Sequence, residues 1–189
     1  MSSVAVDICQ RHRFTVAEYH RMAETGMLAP DARVELIEGE IIDMPPIGSP
    51  HASAVFLVSD RLREVVKGVA FVWVQNPIRL SQHSEPQPDI ALLRPRPDFY
   101  RSSHPTSADV FLIVEVADTS LAYDTQIKLP LYAHHGIPEV WVADLSNQRF
   151  LIHRTPTPMG YQDAQTLTDL SAVSPLLLPR VHIDLSDVF

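Results

Sequence analysis

The chain has 189 residues, 46% apolar and 20% charged, which is ordinary for a soluble globular protein. This length suffices for one domain with a sizeable core and is short for two. The formal net charge of −8 argues against a protein that coats nucleic acid by bulk attraction. It does not exclude a nuclease, because acidic metal ligands count as negative until the metal binds.

Two features of the sequence bear on where the protein is located: its N-terminus and its apolar runs. Residues 1–13 carry charges and have no long apolar core, so we predict an N-terminal tail rather than a secretory signal. Residues 14–189 then form a single domain. Apolar runs elsewhere are too short to span a bilayer, and Cys9 is the only cysteine, so no intrachain disulfide can form. The sequence predicts a cytoplasmic protein without membrane contact.

The first predicted elements are a helix and a hairpin. The helix covers about residues 15–25, where Thr15 and Glu18 can form a capping box and Gly26 can end the helix. Residues 34–44 contain two short strands on either side of a turn, a pattern typical of a hairpin.

A long amphipathic helix is predicted next. Ser49 is placed as its N-cap, with a proline as the first helical residue, and Gly68 can close it. Apolar residues recur at helical spacing in between. Strand segments are then predicted at 71–74 and 78–80, followed by the strand that begins near Asp89.

The second half begins with a loop over 94–109 and continues with an alternation of strands and a helix. The predicted elements, in order, are a very apolar strand at 110–116, a helix at about 121–135, a strand at 139–144, an antiparallel edge pair at 149–154 and 160–167, and a short closing element at 181–189. Together with the first half, this order predicts an α/β fold, a central mixed sheet with helices on both faces.

Pro130 lies inside the helix predicted at 121–135. There it removes a backbone donor and clashes with the preceding turn. Either the helix kinks at this proline or it starts later than Ser120, and the position of Lys128 depends on which.

Three side chains are the leading candidates for chemistry: Asp89, Glu115 and Lys128. Asp89 stands at the start of one apolar strand, and Glu115 is the one charge in the apolar run 110–116. An ionised carboxylate taken out of water needs a partner, a metal or a proton. Two carboxylates converging near one lysine make a hard oxygen site for a divalent cation, which suits phosphodiester hydrolysis.

Each of these residues also has a structural interpretation. Asp89 is compatible with a polar strand end where a loop enters the sheet. Lys128 follows Asp124 by four residues, and an exposed helical pair of this kind contributes only about 0.3–0.5 kcal/mol. Burial of Glu115 in so apolar a run is harder to explain without a functional partner.

Other chemistries lack their motifs. No glycine-rich phosphate loop and no Gly-x-Ser-x-Gly elbow occurs among the six glycines. The adjacent pair His134 and His135 points in two directions on a helix and does not suit one metal ion. Residue types alone leave two-carboxylate glycosidase chemistry open, but it offers no use for Lys128.

Several segments together resemble the Uma-type restriction endonuclease-like family, formerly a domain of unknown function, within the PD-(D/E)xK nuclease superfamily. They are Val34 to Glu40, Pro88-Asp89-Ile90, Val114-Glu115-Val116, Asp124 to Lys128, and Tyr132 with Gly136 to Trp141. The resemblance runs from about Phe14 to Phe189. It implies a restriction-endonuclease-like fold and a divalent-metal site.

The resemblance also implies residue roles. Asp89 corresponds to the Asp of the PD element, Glu115 to the second acid, and Glu35 to the acid of an upstream element. The usual lysine position, two residues after the second acid, is Ala117 here. The resemblance instead places the lysine on the following helix, at Lys128, whose long stem can reach back to a strand end.

On this basis we expect Asp89 and Glu115 to bind Mg²⁺ or Mn²⁺, with Lys128 serving the attacking water and Glu35 as an outer ligand or a ligand of a second ion. His51, Arg94 and Arg96 are candidates for substrate contact. The expected partner is nucleic acid, in particular DNA, and a homodimer would pair two clefts across a two-fold axis. The alternative is a catalytically inactive nuclease fold that acts as a protein- or nucleic-acid-binding scaffold.

Overall fold

The computed structural model describes residues 11–189, so most of the tail predicted at 1–13, and Cys9 with it, lies outside the described residues. The chain forms two compact units. Of the described residues, the first comprises 11–45 and Ser81–Pro86, and the second Pro46–Leu80 and Gln87–Phe189. The single domain predicted at 14–189 stays a prediction.

The first unit contains helix α1 (Val16–Glu24) and an antiparallel hairpin of β1 (Val34–Ile37) and β2 (Glu40–Asp43). Thr15 caps α1 in the predicted capping box with Glu18. Glu38 and Gly39 form the hairpin turn, both with positive φ. The helix and the hairpin predicted from the sequence are therefore confirmed.

The second unit is built on a six-stranded mixed sheet. Its strands, in spatial as well as chain order, are β3 (Phe71–Val74), β4 (Ile90–Leu93), β5 (Val110–Ala117), β6 (Glu139–Asp144), β7 (Arg149–Thr157) and β8 (Gly160–Leu167). The β5–β6 pair is parallel and the other pairs are antiparallel. A parallel pair needs a long crossover, and the helical segment between β5 and β6 provides it.

The helices of this unit are α2 (Ser49–Val65), α3 (Leu121–Tyr123) and α4 (Leu129–His134), and a π-helical turn over Asp124–Lys128 joins α3 to α4. Residues alternate along each strand between two apolar clusters. One cluster contains Val58 and Leu62 of α2, and the other contains Leu129 and Tyr132 of α4. The predicted α/β fold with helices on both faces of a mixed sheet is confirmed.

Three local predictions differ from the structure. Residues 78–80 do not form a strand; Arg79 makes only an isolated bridge to Thr106. The N-cap of α2 is Gly48 rather than Ser49, which leaves the following proline in the first turn, where its missing N–H costs nothing. The closing segment 181–189 contains no helix or strand beyond the isolated bridge of Ile183 to Val173.

The structure also resolves the position of Pro130. The helical segment begins at Leu121, and Pro130 is the second residue of α4, directly after the π-helical turn. The missing N–H therefore falls where the hydrogen-bonding pattern changes from π to α, so the helix continues through the proline.

Candidate active site

The antiparallel pairing of β4 and β5 brings Asp89 opposite Glu115. Ile90 pairs with Val114, so the residue before Ile90 falls beside Glu115. The backbone N–H of Asp89 donates to Glu115 Oε2 over 3.3 Å, and the backbone N–H of Val116 donates to Asp89 Oδ2 over 2.9 Å. The register of two apolar strands thus places two carboxylates side by side at one end of the pair.

Asp89 is held as an anion by several donors. His51, in the first turn of α2, has its Nε2 atom 2.9 Å from Asp89 Oδ1, and Gln75 Nε2 donates to the same oxygen over 3.3 Å. Burial alone would raise the pKa of Asp89, but the hydrogen bond and charge of His51, the Val116 N–H and the charge of Lys128 together lower it. Asp89 is therefore a carboxylate at neutral pH.

Glu115 is in the opposite electrostatic situation. Its side chain is 3% exposed, and burial raises its pKa to about 8. Lys128 lowers that pKa and the charges of Asp124 and Asp89 raise it, while the hydrogen bond from Tyr132 lowers it. Negative charge is thus concentrated around a buried acid, as a cation site requires.

Lys128 reaches this acid from the π-helical turn. Its side chain is 7% exposed, and its Nζ atom donates to Glu115 Oε1 over 3.3 Å. Asp124 and Lys128 are both buried, so the interpretation of this pair as an exposed helical ion pair is wrong. π-helical turns are rare and are found frequently at functional sites.

The structure therefore brings together Asp89, Glu115, Lys128 and His51. It places Arg94 and Arg96 beyond the other end of β4, about 16 Å or more along the chain from Asp89 at the rise of an extended strand. There Arg94 donates to the backbone of Ala108, and Arg96 forms an ion pair with Asp98. Their role in substrate contact stays a prediction, separate from the carboxylates.

Glu35 belongs to the first unit, on β1, and is 1% exposed. Within that unit a second buried acid, Glu85, pairs across an isolated bridge with Leu36 and lies 2.5 Å from His20. Residues opposite each other share a face, whereas neighbours along a strand alternate. Glu35 therefore points to the face of β1 opposite to Leu36 and Glu85, and its supporting role stays a prediction.

Sequence reasoning missed two polar partners of the acids. The Tyr132 hydroxyl donates to Glu115 Oε1 over 2.6 Å, and Gln75 donates to Asp89. Tyr132 stands four residues after Lys128, so the two side chains share a face of the helical segment. This four-residue spacing was the sequence pattern that could have identified Tyr132 as a partner, whereas no sequence pattern pointed to Gln75.

The donors present fit a hard divalent cation. Asp89 and Glu115 offer carboxylate oxygens, the ligands that Mg²⁺ and Mn²⁺ prefer. Glu115 Oε2 accepts the backbone N–H of Asp89, so the two acids lie at the same point of the strand pair. A bound cation would offset the burial and the charges of Asp124 and Asp89, which raise the pKa of Glu115.

Comparisons with known proteins bear on the family and the fold of this chain. The Uma2 family model, described as "Putative restriction endonuclease", matches residues 16–186. A crystal structure of "a putative nuclease belonging to DUF820 from Anabaena variabilis ATCC 29413" superposes with a TM-score of 0.70 at 19% sequence identity, covering 93% of this chain and 97% of that chain. At this identity the likeness shows the fold, and the expected restriction-endonuclease-like fold is confirmed.

A search among curated proteins gave no match. Within residues 11–189, no helix is long and apolar enough to cross a membrane.

Proposed function

This chain belongs to the Uma2 family of restriction endonuclease-like proteins, and on that premise we propose that it is a divalent-metal-dependent endonuclease that hydrolyses phosphodiester bonds in DNA. The observation that carries the proposal is the convergence of Asp89, Glu115 and Lys128 from a strand end, a strand interior and a π-helical turn. A fold alone does not specify a function, but this grouping of two acids and a lysine does support one.

Asp89 and Glu115 would hold Mg²⁺ or Mn²⁺ through carboxylate oxygens. When bound, the ion supplies positive charge to the phosphate and makes water a stronger nucleophile. The protein's own contribution is to keep both acids fixed before the ion arrives. His51 and the Val116 N–H hold Asp89, and Tyr132 and Lys128 hold Glu115.

Lys128 has a second role in this proposal. Its ammonium group is buried beside Glu115 and carries three donors on a flexible stem. Once Glu115 is compensated by a cation, the ammonium can donate to the attacking water and to a phosphate oxygen, where negative charge grows in the transition state.

Four further residues have supporting roles in this proposal. His51 bonds to Asp89, so we propose that it positions this acid as well as facing substrate. Glu35 is included as an outer ligand, or a ligand of a second ion, on the strength of the family resemblance. Arg94 and Arg96 would contact the DNA backbone at a distance from the cut, and a homodimer would bring two sites to one duplex.

A melting experiment tests the metal site. Mn²⁺ should raise the melting temperature of the wild type, because a ligand that binds the folded state stabilises it. Glu115→Gln should abolish this stabilisation. Glu64→Gln is the matched control, since Glu64 is an exposed acid of α2, and it should retain the Mn²⁺ effect. Equal Mn²⁺ shifts in all three proteins would refute the site.

Plasmid nicking tests the activity. The wild type should nick supercoiled plasmid with Mn²⁺ or Mg²⁺, Lys128→Ala should not, and Lys67→Ala, at an exposed lysine beyond α2, should behave as the wild type. Because Lys128 acts on the transition state, its loss should remove plasmid nicking but keep the Mn²⁺-dependent melting shift.

The alternative is an inactive scaffold with a nuclease fold. Ala117 at the usual lysine position favours it, and so does the ion pair that already satisfies Lys128 and Glu115. A wild type that binds DNA but nicks no substrate with any divalent metal would establish this alternative over the enzyme.

A further inference from the structure

We infer that Tyr132 is a positioning residue of the proposed metal site, whose hydroxyl holds Glu115 Oε1 and thereby presents Glu115 Oε2 to the cation beside Asp89. This inference rests on the proposed function and names a residue that acts through a metal ligand rather than on the substrate.

The two oxygens of Glu115 have different surroundings. Oε1 accepts the Tyr132 hydroxyl over 2.6 Å and the Lys128 ammonium over 3.3 Å. Oε2 accepts the backbone N–H of Asp89 over 3.3 Å and is thus the oxygen on the side of the other acid. A carboxylate pinned at one oxygen can rotate little, so the other oxygen keeps a fixed direction toward a shared ion.

The tyrosine is better suited to this task than the lysine. Its hydroxyl makes the shorter contact, and it is neutral, so it holds Oε1 without adding a positive charge that would repel a cation. In the proposed mechanism the Lys128 ammonium turns to the attacking water, after which the hydroxyl continues to hold Oε1.

The ring of Tyr132 is itself immobilised. It is fully buried, in an apolar cluster with Leu129, Ile137 and Val140. Its carbonyl accepts the backbone N–H of Ile137 over 3.0 Å, which fixes the end of α4. A rigid ring is what a positioning donor needs, because the hydrogen bond can then orient the acid rather than follow it.

The test is the affinity for Mn²⁺, measured by isothermal titration calorimetry at one pH on the full chain. Tyr132→Phe should weaken Mn²⁺ binding about 10–100-fold, the range typical of residues that orient a metal ligand. Tyr161→Phe is the matched control, because the Tyr161 hydroxyl donates to the Ile137 carbonyl over 2.8 Å and not to an acid. It should keep the wild-type Kd for Mn²⁺.

A second measurement separates positioning from a merely structural role. If Tyr132 acts through the metal, the nicking rate of Tyr132→Phe should fall at limiting Mn²⁺ and recover as Mn²⁺ is raised. The rate of Lys128→Ala should not recover. Loss of packing alone would lower the melting temperature without a change that metal concentration reverses.

The outcomes are distinct. An unchanged Mn²⁺ Kd in Tyr132→Phe, or an equal change in Tyr161→Phe, would overturn the inference and leave the proposed function standing. Absence of Mn²⁺ binding in the wild type would overturn both. If Tyr132→Phe does not fold, a crystal structure of the wild type with Mn²⁺ decides, because the inference requires the metal on Oε2 and the hydroxyl on Oε1.

Discussion

Arg154, whose side chain is 23% exposed, forms an ion pair with the fully buried Glu139, and loss of this pair should destabilise the protein strongly without altering the candidate active site. Glu139 has 0% exposure at the start of β6. It accepts the Arg154 Nε–H over 2.8 Å, the Trp141 indole N–H over 2.8 Å and the backbone N–H of Leu176 over 2.6 Å. In Arg154→Met the acid keeps the two neutral donors and loses its cation.

The size of the expected loss in unfolding free energy follows from these contacts of Glu139. Removing one partner of a buried pair costs about 3–5 kcal/mol, because the remaining charge stays uncompensated. The two donors that remain to Glu139 place the expected loss in the unfolding free energy at the lower end, about 3 kcal/mol. For a chain of this size that corresponds to a fall of about 6–12 °C in melting temperature.

The matched control is Arg61→Met on the surface of α2. Arg61 also contacts a carboxylate, Asp187, over 2.6 Å, but the two side chains are 38% and 49% exposed. Exposed pairs contribute about 0–1 kcal/mol. Urea unfolding followed by circular dichroism measures both variants, and plasmid nicking well below the melting temperature should be normal in both.

Equal losses of stability in the two variants would refute the reasoning, since burial would then not determine the strength of an arginine–carboxylate contact here. Loss of nicking by folded Arg154→Met would also count against it, because Glu139 would then belong to the functional site.

Three further predictions concern single residues. Without metal, the stability of the wild type should fall as the pH rises from about 4.5 to about 8. Burial raises the pKa of Glu115 to about 8 in the folded protein, whereas the unfolded chain releases the same proton at a lower pH. In urea titrations with EDTA, Glu115→Gln should remove this loss. Burial lowers the pKa of His153, whose Nε2 has no hydrogen-bond partner within residues 11–189, so its share of stability is present above about pH 6.5 and lost as the pH falls. His153→Phe should be less acid-sensitive than the wild type in the same assay, and an unchanged pH dependence would contradict this. In thermal melts, Gly39→Ala should destabilise the protein more than Gly26→Ala. Both glycines have positive φ, which an alanine adopts at a cost. In addition, a Cβ on Gly39 would lie 2.6 Å from Arg13 Cβ, whereas a Cβ on Gly26 would meet no described atom within 4 Å.

Local chemistry in the sequence was enough to predict the elements that depend on neighbouring residues. The capping box of Thr15 and Glu18 set the start of α1, and the Glu38-Gly39 turn set the hairpin. A single charge in an apolar run identified Glu115 as a residue that needs a partner.

Elements that depend on tertiary contacts could not be predicted from such local patterns. The π-helical turn at Asp124–Lys128 has no local signature, since the same residues suit an α-helix. Residues 78–80 have the composition of a strand but make only one bridge, because strand formation requires a partner along the edge. Tyr132 binds an acid that lies 17 residues earlier in the chain.

Two buried acids on adjacent strands, Glu115 and Glu139, show what the sequence determined and what the tertiary structure determined. The sequence alone determined that Glu115 and Glu139 would enter the sheet, because each lies in or beside an apolar strand. Only the tertiary structure decided that Glu139 meets a guanidinium and two N–H donors, whereas Glu115 meets two further acids and one lysine. Strand formation depends on residues a few positions apart, but the charge that an acid encounters depends on distances between elements far apart in the chain.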